Sequence, residues 1–182
     1  MTEIFETIFD LLKTIVFVIV LAFLIRFFIF QPFVVQGISM EPTLHNSEYL
    51  IVDRLSYRFS EPHRGDVVVF PAPDNSKVDY IKRIIGLPGE EVKITDNHVY
   101  INNKLINEKY LPSDFKTLVN NKEGDALDKI VGPNELFVMG DNRENSYDSR
   151  FFGVIKKDSV VGKAWLILFP FKNLGKVYEP SY

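Results

Sequence analysis

The sequence predicts a mainly β domain of antiparallel sheets, preceded by one N-terminal transmembrane helix. Three observations predict this. Residues 11–30 are apolar apart from Lys13, Thr14 and Arg26. The remainder breaks into short runs rich in Val, Ile, Phe and Tyr, bounded by Gly, Pro, Asn or Asp, the pattern of strands joined by turns. The chain has 182 residues, room for one ordinary domain with an attached element, and its 46% hydrophobic content supplies a sizeable core.

The helix comes first. Twenty helical residues rise about 30 Å, the thickness of a bilayer core. Lys13 and Arg26 lie toward the two ends of the apolar run, where long side chains reach the headgroups. A buried core helix is the alternative, but a domain of this size seldom encloses one on all sides. A cleavable signal peptide needs a basic start and small residues at the cut. This start carries Glu3, Glu6 and Asp10, and the exit reads Phe30-Gln31-Pro32-Phe33-Val34-Val35. We therefore read residues 1–30 as a tail and uncleaved anchor, and residues 31–182 as the domain. Lys13 and Arg26 nearly cancel, so flanking charge does not orient the anchor.

Strands follow at 49–52, 66–70, 80–85, 91–94, 99–101, 104–106, 135–139 and 160–169. Asn102-Asn103 suits a tight hairpin, and Leu87-Pro88-Gly89 and Gly132-Pro133-Asn134 mark turns. Residues 107–131 are the most polar stretch, read as a variable, partly helical excursion.

Composition narrows the function. Lys plus Arg number 21 against 24 Asp plus Glu, so no nucleic acid is held by bulk charge. The absence of Cys excludes disulfides, thiolate metal sites, iron–sulfur clusters and a Cys nucleophile. His45, His63 and His98 lack the spacing of a metal pair, so neither metal nor cofactor is expected.

Four segments carry candidate chemistry. In Ser39-Met40-Glu41-Pro42-Thr43-Leu44 the serine is either a turn residue or a nucleophile. Arg64-Gly65-Asp66 reads as a turn entering a buried strand rather than an adhesion motif. In the strand after Asp79, side-chain alternation puts Tyr80, Lys82 and Ile84 on one face and turns Arg83 away. Lys82 is then either a snorkelling surface lysine or a desolvated amine of lowered pKa. The fourth segment, Gly140 to Gly153, is dense in polar groups yet flanked by hydrophobic strands. It is a solvated loop or a source of hydroxyls and ion pairs for a catalytic group.

Together, in this order and spacing, these segments resemble the type I signal peptidases, membrane-anchored Ser–Lys proteases that remove signal peptides from exported proteins. The resemblance runs from the anchor to about Phe171, and Gly-Asp-Asn-Arg-x-Asn-Ser-x-Asp-Ser-Arg is its most specific part. The short excursion is similar to that of the compact, single-anchor branch typical of Gram-positive bacteria. The resemblance implies sheets of the signal-peptidase type, Ser39 as nucleophile and Lys82 as general base. It implies that Ser146 orients the lysine, that Asp148 and Arg150 form a supporting ion pair, and that Asp141 pairs with Arg83. It also implies that Phe33, Val35, Met40, Leu44, Tyr80 and Ile81 line pockets for small substrate side chains. Many relatives have a serine two positions before the nucleophile that helps bind the oxyanion. Here Gly37 stands there, leaving the Ser39 N–H and any hydroxyl from elsewhere, such as Thr43. The partners implied are preproteins bearing signal peptides and the lipid bilayer. The location implied is the cell membrane, single-pass, with the catalytic domain on the outer face.

The chemistry is consistent with that reading. A serine hydroxyl is weak until a base removes its proton. A solvated lysine near pKa ~10.4 is almost wholly charged at pH 7, so apolar neighbours must desolvate it. A Ser–His–Asp hydrolase using His45 or His63 lacks the second glycine of a nucleophile elbow after Ser39. Self-cleaving Ser–Lys repressors lack the anchor. The alternative from another class is a membrane-tethered β-domain that binds partners without catalysis.

Overall fold

A computed structural model describes residues 2–28, 30–113, 115–120, 122, 124–180 and 182, and their side chains except at 2, 3, 24–28 and 30. The alternating runs form antiparallel strands. They are β1 (Phe30–Val34), β2 (Tyr49–Asp53), β3 (Val67–Ala72), β4 (Asn75–Gly86), β5 (Glu91–Thr95), β6 (His98–Ile101), β7 (Lys104–Leu105), β8 (Leu127–Ile130), β9 (Glu135–Met139), β10 (Ile155–Lys156), β11 (Gly162–Phe169) and β12 (Gly175–Lys176). Among the described residues the larger sheet runs β1-β2-β11-β3-β4-β9-β10, with β12 on β11, and the smaller runs β7-β6-β5-β8. A proline in β1 is tolerated because β1 ends the strand order.

Turn chemistry sets the hairpins. Asn102 and Asn103 take φ of 50° and 63°, the conformation of a two-residue turn that places Ile101 opposite Lys104. Asp96 and Asn97 do the same between β5 and β6, with Thr95 opposite His98. The polar excursion holds no helix among its described residues. Its end forms β8, whose backbone completes the free side of β5. Pairing with an existing edge outweighs the weak local preference of that stretch.

Buried side chains form three clusters. One joins the two sheets through Ile85, Val92, Ile94, Val99, Phe137 and Met139. A second packs Val68, Phe70, Ile84, Leu136 and Val138, with Tyr80 and Phe152 at its border. The third seats the segment after β1, with Val35, Met40 and Leu44 against Leu50, Val67 and Ala164.

At the N-terminus α1 (Thr2–Phe28) is a single helix. Every side chain described on it, residues 4–23, is exposed. These include Glu6, Asp10 and Lys13, and among the described residues no helix is long and apolar enough to cross a membrane. The predicted span, residues 11–30, continues into side chains that lie outside the described ones.

Candidate active site

The segment between β1 and β2 presents Ser39. Its backbone makes one helical turn, with Glu41 N–H donating to the Ile38 carbonyl at 3.1 Å and Leu44 N–H to the Met40 carbonyl at 3.0 Å. Residues four apart on a turn share a side. Met40 and Leu44 therefore both point into the core, at 1% and 0% exposure. Neither borders the cleft described below, and both form the apolar footing that seats the serine. Ser39 itself is half-buried.

β4 carries Lys82, opposite Val68 of β3 and on the face of Tyr80 and Ile84. Its Nζ donates to Ser39 Oγ at 2.8 Å, within the reach a general base needs. The lysine is 4% exposed, and its amine lies 5.3 Å from the Tyr80 ring centre. Burial pushes its pKa down to about 8; Asp148 and Asp141 oppose that shift, and Arg150 adds to it. The isolated-lysine alternative, a snorkelling surface cation, does not hold here.

Behind the pair lie three buried arginines with carboxylate partners. Arg83 grips Asp141 through Nε at 2.9 Å and a terminal nitrogen at 2.7 Å. Arg150 grips Asp148 in the same forked way, at 2.9 Å twice. Asp148 also accepts from Gly140 N–H at 3.0 Å and from Arg150 N–H at 3.2 Å, capping α3 (Ser149–Phe152), which follows the short α2 (Ser56–Phe59) in the chain. Arg143 binds Glu108 of the excursion in a fork, with one nitrogen 2.9 Å from Oε2, and reaches Thr117 Oγ1 at 2.7 Å. Removing one partner from such a buried pair typically costs about 3–5 kcal/mol. Asp148→Asn is therefore expected to lower unfolding free energy on that scale, read from urea denaturation.

The Ser146 hydroxyl is buried in this loop without a hydrogen-bond partner, so the bond to Lys82 implied by the resemblance is not made. The amine is bonded to Ser39 instead. Gly37 is exposed, with φ of +92°, and a Cβ placed there would meet nothing within 4 Å. Conformation rather than space favours glycine at that position. Thr43 Oγ1 accepts from Arg83 at 3.3 Å.

A cleft of about 560 Å³ runs over Ser39 and Lys82. Its walls are residues 33–36, leaving β1, and residues 77–82 of β4, with Leu50, Val69 and Tyr147. Of the residues expected to line substrate pockets, Phe33, Val35, Tyr80 and Ile81 border this cleft. β1 ends the strand order and β9 pairs with β4 only from Arg83 onward, so both walls carry a strand edge without a strand partner among the described residues.

The family model described as signal peptidase, peptidase S26, matches residues 8–169. The chain belongs to that family. Signal peptidase I of Bacillus licheniformis is 41% identical over 181 residues, covering 94% of each chain. Signal peptidase I T of Bacillus subtilis is 43% identical, covering 89% of this chain and 86% of the relative. A crystal structure of a signal peptidase I from Enterococcus faecalis is 37% identical with a TM-score of 0.50, covering 57% of this chain and 97% of that one. The protein is accordingly a serine endopeptidase that removes signal peptides from preproteins.

Several residues of this signal peptidase site escaped the sequence reading. Asn142 ties the glycine-flanked loop to the serine turn, its N–H donating to the Ser39 carbonyl at 3.1 Å and its side chain to the Ile38 carbonyl at 3.1 Å. Ser149 Oγ accepts the β9 N–H of Val138 at 2.9 Å. A Cβ on Gly140 would collide with Ser146 Oγ and the Ser39 carbonyl. Their sequence signal was membership in the polar loop and its Gly-Asp-Asn-Arg-x-Asn-Ser-x-Asp-Ser-Arg motif, which gave them no individual role. Gly140→Ala is expected to lower kcat/KM by about 10²-fold, since displacing a catalytic group by an ångström costs that much. A folded variant with full activity would show that the close approach is dispensable.

Proposed function

We propose that Ser39 is the nucleophile and Lys82 the general base of signal-peptide cleavage. The observation that carries the reading is the 2.8 Å contact between a half-buried serine and a buried amine of lowered pKa. Neutral Lys82 takes the Ser39 proton as Oγ attacks the scissile carbonyl; the protonated lysine then gives it to the departing amine. The acyl-enzyme is hydrolysed by a water that Lys82 activates in turn. The Ser39 N–H donates to the developing oxyanion. Ser146 steadies the lysine when the substrate has displaced its bond to Ser39, and Asp141, Arg83, Asp148 and Arg150 hold the loop. The substrate lies extended in the cleft and hydrogen-bonds to its strand edges.

α1 serves as a single-pass anchor, and residues 31–182 as the catalytic domain on the outer face of the cell membrane. Support comes from the apolar run at 11–30 and from the exposed side chains of the described helix surface. The anchor puts the cleft where the apolar segment of a signal peptide resides.

An acylating inhibitor tests the dyad. It is expected to label Ser39 in the full chain and to leave Ser39→Ala unlabelled. An unlabelled full chain would favour the partner-binding alternative. Ser146→Ala is expected to slow processing by roughly tenfold, since such a bond is worth ~1 kcal/mol or somewhat more. With Phe33, Val35 and Ile81 as walls beside Ser39, precursors with Ala at the first and third positions before the cut are expected to outrun those with Leu. Equal rates would remove the pocket assignment.

A further inference from the structure

We propose that Tyr178, Glu179, Pro180 and Tyr182 are a positioning strap for the catalytic loop, acting through Arg83 and Tyr110. This goes beyond the dyad while resting on its reading.

A buried guanidinium must satisfy five N–H donors, and Arg83 is wholly buried. Its Nε and one terminal nitrogen donate to Asp141, and that terminal nitrogen also reaches Thr43 Oγ1. The remaining nitrogen donates to the Gly65 carbonyl at 2.6 Å and to the Tyr178 carbonyl at 3.0 Å. The tail thus supplies one of the acceptors that complete the cation's shell. It also roofs it. The Arg83 guanidinium lies 4.7 Å from the Tyr110 ring centre, and Tyr182 meets that ring edge-to-face at 6.2 Å, with the two hydroxyls 3.2 Å apart. Tyr110 OH in turn accepts from Arg143 at 3.1 Å.

Tail and excursion therefore close on the two arginines from outside the cleft. Arg83 holds Asp141, and the next residue, Asn142, holds the Ser39 carbonyl. Arg143 donates to the Gly140 carbonyl at 3.2 Å, beside the point where Gly140 and the Ser39 carbonyl meet. A chain of direct bonds thus runs from Tyr178 to the nucleophile. The tail is itself secured, by Val177 N–H on the Trp165 carbonyl at 3.0 Å and by Glu179 on Lys163 at 2.8 Å. Tyr182 packs on Gly65, where a Cβ would come within 3.0 Å of its ring. None of these tail residues lines the cleft, so any effect on catalysis is transmitted through Arg83 and Tyr110.

The test compares the full chain with a variant ending at Val177 and with Tyr182→Ala and Tyr182→Phe. Each is assayed on a signal-peptide-derived peptide, with competent sites counted by stoichiometric labelling with an acylating inhibitor. A positioning strap predicts that kcat per titrated site falls about tenfold or more in the shortened chain and in Tyr182→Ala, with KM within about twofold, as for a displaced catalytic group. Tyr182→Phe keeps the ring contact and should retain most of the rate. A purely structural tail instead predicts fewer titratable sites, each turning over at the full-chain rate, and that result overturns the proposal. If the shortened chain does not fold, Tyr182→Ala decides the matter by the same two readouts. A full chain that the inhibitor does not label would remove the acyl-enzyme reading and not the strap, which then predicts a lower peptide turnover for Tyr182→Ala at an unchanged melting temperature; turnover and melting temperature falling together would overturn it.

Discussion

Ser39→Ala is expected to fold and to lose signal-peptide processing by several orders of magnitude. Removing the nucleophile of a comparable serine protease costs about 10⁶-fold in kcat. The fold should survive because Ser39 contributes neither to the core beneath it nor to the buried ion pairs behind it. Met40 and Leu44 seat the turn, and Asn142 bonds to backbone oxygens that an alanine keeps. The measurement is cleavage of a secretory precursor by the purified variant, with a thermal melt beside it. Near-normal cleavage would refute the assignment.

Lys82→Met is expected to abolish activity and to raise stability. The amine's pKa is about 8 in the folded chain and 10.5 when solvated. Below pH 8 both states hold the proton, and the folded state bears the full burden of a buried cation. That burden corresponds to roughly 3 kcal/mol at 1.36 kcal/mol per unit. Between about 8 and 10.5 the unfolded state binds more protons than the folded one, so stability rises with pH and the burden is relieved. The gain from Lys82→Met should therefore be largest at neutral pH, of order 1–3 kcal/mol after loss of the Ser39 bond, and should fade toward pH 10. Urea unfolding at pH 7 and pH 10 checks it; a variant destabilised at both would mean that the amine is not strained by burial.

The rate carries the same signature. At pH 7 about a tenth of the amine is neutral, and the fraction rises toward a plateau above pH 8. kcat/KM should climb accordingly, with no step from histidine. His45, His63 and His98 are all exposed, and the bond of Ser39 Oγ is to Lys82. Lys82→Arg should be inactive, because guanidinium stays protonated. The three His→Ala variants should remain active. Loss of activity in one of them, with Lys82→Ala surviving, would overturn the Ser–Lys mechanism.

Local order in the chain determined much of this molecule. Alternation along 80–85 put Lys82 between Tyr80 and Ile84 and turned Arg83 away, because strand geometry is a property of adjacent residues. The Asn102-Asn103 turn and most strand positions were legible for the same reason. Two pairs, Asp148–Arg150 and Arg83–Asp141, were legible only through the resemblance, and the second links residues far apart in sequence. Tertiary structure alone decided which side of each segment faces the core and which bond each polar group makes. Met40 and Leu44 face inward because the serine turn coils over the sheet. β8 forms because β5 had a free side. Arg143 binds Glu108 and Tyr110 because the excursion folds back over the loop. The Ser146 hydroxyl is left unbonded because Lys82 has its partner in Ser39. Each outcome depends on groups brought together across long stretches of chain, where burial leaves a polar atom only the partners the fold delivers.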